Sequence, residues 1–105
     1  MTAPVELTPA ARADLLEGFE SLAADNLEAA HRFLLAARKA IGRLADHPDL
    51  GMLQAWRDPR LAEVRMWPIP GMASWLVFYR SRPSGILILR ILHGTRDLAQ
   101  ILLQE

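Results

Sequence analysis

The sequence predicts an α+β domain in which a helix hairpin packs on a small, mainly antiparallel sheet. The order of elements is β-α-α-β-β-β with a short C-terminal helix. Two observations from the first half and one from the second carry this. Apolar residues recur at three- and four-residue spacing in two successive stretches, the mark of amphipathic helices. Two such helices joined by a short break must lie antiparallel and bury too little alone, so a third layer is required. Three later stretches rich in branched and aromatic residues, separated by Pro- and Gly-containing turns, supply that layer as a sheet. With 105 residues, 51% of them apolar and 23% charged, residues 1–105 fit one domain and fall well outside the composition of disordered chains.

The elements follow in order. Val5 to Leu7, between Pro4 and Thr8, is long enough for an edge strand. Thr8-Pro9 reads as a helix N-cap with proline at the first helical position, where its missing N–H does no harm. This helix is expected to run to about residue 26, burying Leu15, Leu16, Phe19, Leu22 and Ala23, with Asp25-Asn26 as the break. The second helix presents Ala30, Phe33, Leu34, Ala37, Ile41 and Leu44 on one face and keeps His31, Arg32, Arg38, Lys39 and Arg43 off it; it ends near His47-Pro48. A loop containing Pro48, Gly51 and Pro59 leads to strands at 63–67, 74–80 and 86–93. Pro68-Ile69-Pro70-Gly71 and Ser81-Arg82-Pro83-Ser84-Gly85 form the turns between them. Ile86-Leu87-Ile88-Leu89 is apolar on both alternating faces, which marks a central strand covered on both sides. Thr95 or Asp97 can cap a last helix through Leu98, Ile101, Leu102 and Leu103, an apolar tail either tucked into the domain or kept for a partner.

Composition narrows the function. There are no cysteines, so disulfides, thiolate metal sites and cysteine nucleophiles are excluded, and a cytoplasmic setting is the expectation. No basic-then-apolar leader and no apolar run of membrane-spanning length is present, so no membrane role is expected. The P-loop, the dinucleotide glycine fingerprint, His-Glu-x-x-His and Gly-x-Ser-x-Gly are all missing, which removes those enzyme classes and their cofactors. His31, His47 and His93 are scattered without metal-ligand spacing, and no metal is expected. Twelve basic residues balance twelve acidic ones, but unevenly. Arg57, Arg60, Arg65, Arg80, Arg82, Arg90 and Arg96 meet only Asp58 and Glu63 between residues 57 and 96. Such a local surplus suits a partner bearing carboxylates or phosphates.

The chemistry-bearing segment is Leu89-Arg90-Ile91-Leu92-His93-Gly94-Thr95-Arg96-Asp97. His93 can give or take a proton and Arg96 can hold an anion, which resembles half of an acid/base site for phosphodiester cleavage. The same residues suit a turn better, with His93 bonding carbonyls and Arg96-Asp97 capping the helix. Arg90 lies inside the most apolar strand and needs an acceptor, for which Glu63 is the candidate. Arg65 shares the face of Glu63 and could join either that ion pair or a phosphate-binding group. Trp56, Trp67, Trp75 and Tyr79 could stack bases, but core packing explains most of them; Trp67 and Trp75, flanking a turn, are candidate partner contacts.

The chain resembles the RelE/ParE superfamily of bacterial toxins along nearly its whole length. The resemblance is carried by Thr8-Pro9-Ala10-Ala11, Asn26-Leu27-Glu28-Ala29-Ala30, Pro48-Asp49-Leu50-Gly51, Val64-Arg65, Leu76-Val77-Phe78-Tyr79-Arg80 and above all Ile88 through Asp97. It is most similar to the ParE-type, plasmid-stabilisation branch. The resemblance implies a toxin neutralised by a ParD-like antitoxin whose tail folds onto it, with DNA gyrase as the target and DNA touched only through the toxin–antitoxin complex. On that reading no residue is catalytic, and Arg65, Trp67, Trp75, Arg80, Arg90, His93 and Arg96 are the candidate contacts. RelE-type members instead cut messenger RNA on the ribosome; a nuclease here would use His93, Arg65 and Arg96. The basic residues and C-terminal tyrosine or histidine typical of that branch are mostly missing, Arg96 alone clearly corresponding. A relative that binds antitoxin without toxicity is a third possibility. An acidic amphipathic tail would set apolar side chains into a groove on the hairpin or sheet and carboxylates against the arginines between residues 57 and 96.

Overall fold

The computed structural model describes residues 4–94 and 98–103. Strand β1 (Val5–Leu7) leads into helix α1 (Pro9–Ala23), and helix α2 (Leu27–Asp46) returns antiparallel to it. Strands β2 (Met52–Leu53), β3 (Arg65–Ile69), β4 (Met72–Arg82) and β5 (Gly85–His93) complete a five-stranded sheet in the order β1-β5-β4-β3-β2, and α3 (Leu98–Leu102) closes the described chain. The β1/β5 pair is parallel and the others are antiparallel. The predicted order therefore holds, with two additions. The short strand β2 and a 3-10 turn at Pro59–Leu61 lie where a plain loop was expected.

Local chemistry sets the helix ends. The Thr8 hydroxyl accepts from the Ala11 N–H at 3.0 Å and donates to the Leu89 carbonyl at 2.7 Å, so one residue caps α1 and fastens it to the interior strand β5. Asn26 caps α2 by accepting from the Ala29 N–H, so α1 stops at Ala23, three residues before the expected end. The buried face of α1 also differs from expectation. Ala11, Asp14 and Gly18 are the buried residues, whereas Leu16 is 59% exposed. Close approach selects small residues here: a Cβ on Gly18 would come within 2.8 Å of the Phe33 ring.

Helix-side packing joins Phe33, Ala37, Ala40 and Leu44 of α2 to Ile69, Val77, Tyr79, Ile86, Ile88 and Ile91 of the sheet. The opposite face has its own cluster, in which Leu61, Val64, Phe78 and Leu92 are closed over by Leu102 of α3 and by Trp56. The apolar tail is thus tucked in, and β5 is covered on both sides. β5 shifts its alternation at a bulge. Phe78 pairs with Arg90 but Tyr79 pairs with Ile88, which leaves Leu89 as the extra residue and returns Ile91 to the helix side.

Strand β3 runs on through Pro68, which had been assigned to the turn. β2 pairs only with Arg65 and Met66, so the edge beside Pro68 needs no N–H donor from it. The turn reduces to Pro70-Gly71, with Gly71 at φ +82°. The loop after α2 is pinned by Tyr79, whose hydroxyl donates to the Pro48 carbonyl and accepts from the Gly51 N–H, both at 2.7 Å. A side chain at residue 51 would overlap that hydroxyl. Burial pushes the Tyr79 phenol above its ordinary range, against the smaller lowering by the Gly51 N–H.

Candidate partner-binding site

Arg90 is an internal ion-pair residue, but its partner is not Glu63. Its Nε and Nη2 each reach a carboxylate oxygen of Asp14 on α1 at 2.8 Å, and Asp14 also accepts from the Ile91 N–H at 2.9 Å. Asp14 is 5% exposed, so a three-bond acceptor is what allows a carboxylate there. Glu63 lies exposed just before β3. Arg65 joins neither expected group. Its Nη1 donates to the Gly51 carbonyl at 2.6 Å and the Asp49 carbonyl at 3.3 Å, with the Asp49 carboxylate 3.6 Å from Nη2.

Other arginines of this stretch are also engaged within the chain. Arg60 makes a bidentate pair with Asp58, which holds that half-buried carboxyl below its usual range and the guanidinium above its own. Arg82 reaches Glu6 at 3.2 Å across the sheet edge. Arg80 donates from Nη2 to the Arg60 carbonyl at 2.6 Å, and its Nε is buried without a hydrogen-bond partner among the described residues. The arginine surplus read from the sequence is thus largely met by acids and carbonyls of the same chain.

Trp67 and Trp75 are both half-buried against the helix-side core. Trp75 lies tilted on Phe33 at 4.7 Å and edge-on to His93 at 5.5 Å, so His93 is placed at the β5 end beside α1. The Trp67 indole N–H is buried without an acceptor among the described residues. Trp56 is a packing residue, its N–H donating to the Val64 carbonyl. Arg65 and His93 are not brought together: they sit two strands and four register positions apart, about 16 Å at ordinary strand spacings. Arg96, with Thr95 and Asp97, lies outside the described residues. Among the described residues no cluster of three potential metal ligands occurs, and no helix is long and apolar enough to cross a membrane.

A recess suited to a partner lies instead on the hairpin. Leu7, Leu15, Leu34, Ala37, Arg38 and Ile41 line a groove of about 270 Å³ between α1, α2 and β1. Leu34 stays 37% exposed and Leu16 59%. Unfilled apolar surface of this kind on a small domain is the mark of an interaction site. Sequence reasoning placed Leu15, Leu34, Ala37 and Ile41 on buried faces; the adjacent pair Leu34-Leu35 was the signal that the apolar stripe is wider than the sheet can cover.

The comparisons agree with this architecture. The family model described as ParE toxin of type II toxin-antitoxin system, parDE, matches residues 5–98. The chain belongs to the ParE toxin family. A solved structure described as the chromosomal ParDE TA system from P. aeruginosa superposes with a TM-score of 0.71 at 19% identity, covering 88% of this chain and 96% of that one. At that identity the likeness concerns the fold. A search of the curated proteins gives no significant match. The ParE family assignment covers the whole hairpin and sheet, and so includes every surface described above.

Proposed function

We propose that this ParE-family chain is a toxin that acts by binding DNA gyrase, and that a ParD-like antitoxin neutralises it by laying an amphipathic tail in the hairpin groove. The observation that carries the antitoxin part is the groove itself. Leu7, Leu15, Leu34 and Ile41 offer apolar contacts, while Arg38 at the wall offers a cation to an acidic tail. Burying one leucine-sized side chain there contributes about 1.5–3 kcal/mol, so a few anchors suffice for tight binding. Inhibition by binding is supported by the arginine geometry. Arg65 spends its guanidinium on Gly51 and Asp49 and stands far from His93, so the two do not form a phosphate clamp with an acid/base beside it.

The test has two parts. Induction of the chain in a bacterial host should arrest growth, and co-expression of a ParD-like antitoxin should relieve the arrest. Purified chain should block plasmid supercoiling by purified gyrase while leaving messenger RNA whole in a translating extract. Cut messenger RNA with unimpaired supercoiling would establish the RelE-type reading, and harmless expression would establish a non-toxic relative.

A further inference from the structure

The helix hairpin carries a second surface, on the flank of α2 away from the groove. Arg32, Leu35, Lys39 and Arg43 follow one another at three- and four-residue spacing and so form a single stripe. The stripe points away from the buried line of Ala30, Phe33, Ala37, Ala40 and Leu44, whereas Leu34, Arg38 and Ile41 fall on the groove side.

Its charge is not met among the described residues. Residues 29–45 contain four cations, Arg32, Arg38, Lys39 and Arg43, and no acid; Glu28 and Asp46 stand only at the two ends of the helix. Among the described residues, the ion pairs are those of Arg60, Arg65, Arg82 and Arg90, and none involves α2. Lys39 and Arg43 are like charges four residues apart, an arrangement that mildly destabilises a helix unless an anion lies between them. Apolar surface accompanies the charge. Leu35 is 57% exposed in the middle of the stripe, and Arg32, Ala36, Pro70, Gly71 and Met72 frame a recess of about 370 Å³ beside it. A phosphate backbone would meet the cations but leave Leu35 and the recess unfilled; an amphipathic helix with carboxylates would meet both.

We propose that this outward stripe of α2 is a docking surface for an acidic amphipathic helix of a partner protein. Its carboxylates pair with Arg32, Lys39 and Arg43, and its apolar side chains cover Leu35 and enter the recess by Ala36, Pro70 and Met72. The surface is separate from the groove, so the two can be occupied together, and the inference stands whether or not gyrase is the target.

The experiment titrates the full chain against a fluorescein-labelled helical peptide of alternating glutamate and leucine turns, its glutamine counterpart, and a short random-sequence DNA duplex. The acidic peptide should raise anisotropy in a salt-sensitive way and the glutamine peptide should not. Reversing the stripe with R32E, K39E and R43E together should weaken the peptide by about tenfold or more, since each exposed pair contributes a few-fold at low salt. K39E alone should weaken it by about threefold, which serves if the triple variant fails to fold. Equal binding by the triple variant, equal binding of the glutamine peptide, or tighter binding of the DNA duplex through the same residues would each overturn the proposal.

Discussion

Replacing Asp14 by alanine removes the one carboxylate that α1 sends into the sheet. The variant loses both bonds to the Arg90 guanidinium and strands the buried Ile91 N–H, while Arg90 keeps a side chain only 16% exposed. Breaking a buried pair from one side costs about 3–5 kcal/mol, here because two charge-assisted bonds and the acceptor of a buried N–H go together. Against a total stability of about 5–15 kcal/mol for a domain, that is a large fraction. With about 4–8 °C lost per kcal/mol in a chain of this size, the midpoint should fall by more than about 12 °C. Thermal melting followed by tryptophan fluorescence measures it, since Trp75 lies beside α1. The double variant Asp14→Leu with Arg90→Met should recover more than half of the loss, the residue being the stranded Ile91 N–H at about 1–3 kcal/mol. A cost below about 1 kcal/mol for Asp14→Ala would refute the argument that this pair holds helix to sheet.

Tyr79→Phe removes the acceptor of the Gly51 N–H and the donor to the Pro48 carbonyl, and should cost about 1–3 kcal/mol by denaturant melting. Because the folded-state phenol titrates higher than the free one, its stabilisation is fully present below about pH 10 and is lost as pH rises through the folded value; the phenylalanine variant should lose that part of the alkaline decline. Gly51→Ala should destabilise more than an exposed substitution, because its Cβ overlaps the Tyr79 ring, and differential scanning calorimetry would show it. In the groove, Leu34→Glu should weaken a ParD-like antitoxin about 10- to 100-fold in titration calorimetry with little change in melting temperature, Leu34 being partly exposed in the free chain.

The elements that were legible in the sequence are those whose pattern is local. The Ile86-Leu87-Ile88-Leu89 run announced a strand covered on both sides, and the periodicity of Ala30, Phe33, Ala37 and Leu44 announced α2. What escaped depends on partners far along the chain. Asp14 and Arg90 are 76 residues apart, and nothing local to either marks the pair, whereas Glu63 stands nearer in the strand pattern. Large apolar residues drew the buried face of α1 toward Leu16, whereas close packing on Phe33 needed Ala11 and Gly18. The Leu89 bulge shifts the alternation of β5 by one, which no period-two reading contains. The arginine cluster was visible by position, but only the fold shows that Arg60, Arg65, Arg82 and Arg90 face acids of their own chain, while among the described residues the cations of α2 pair with none.

The account rests on the chain acting by grip alone, and the supercoiling assay with purified gyrase, run side by side with the native chain and with His93→Ala, tests it most directly. The account predicts that both proteins block supercoiling to the same extent. Unimpaired supercoiling with the native chain, accompanied by messenger RNA scission that His93→Ala abolishes, would contradict it.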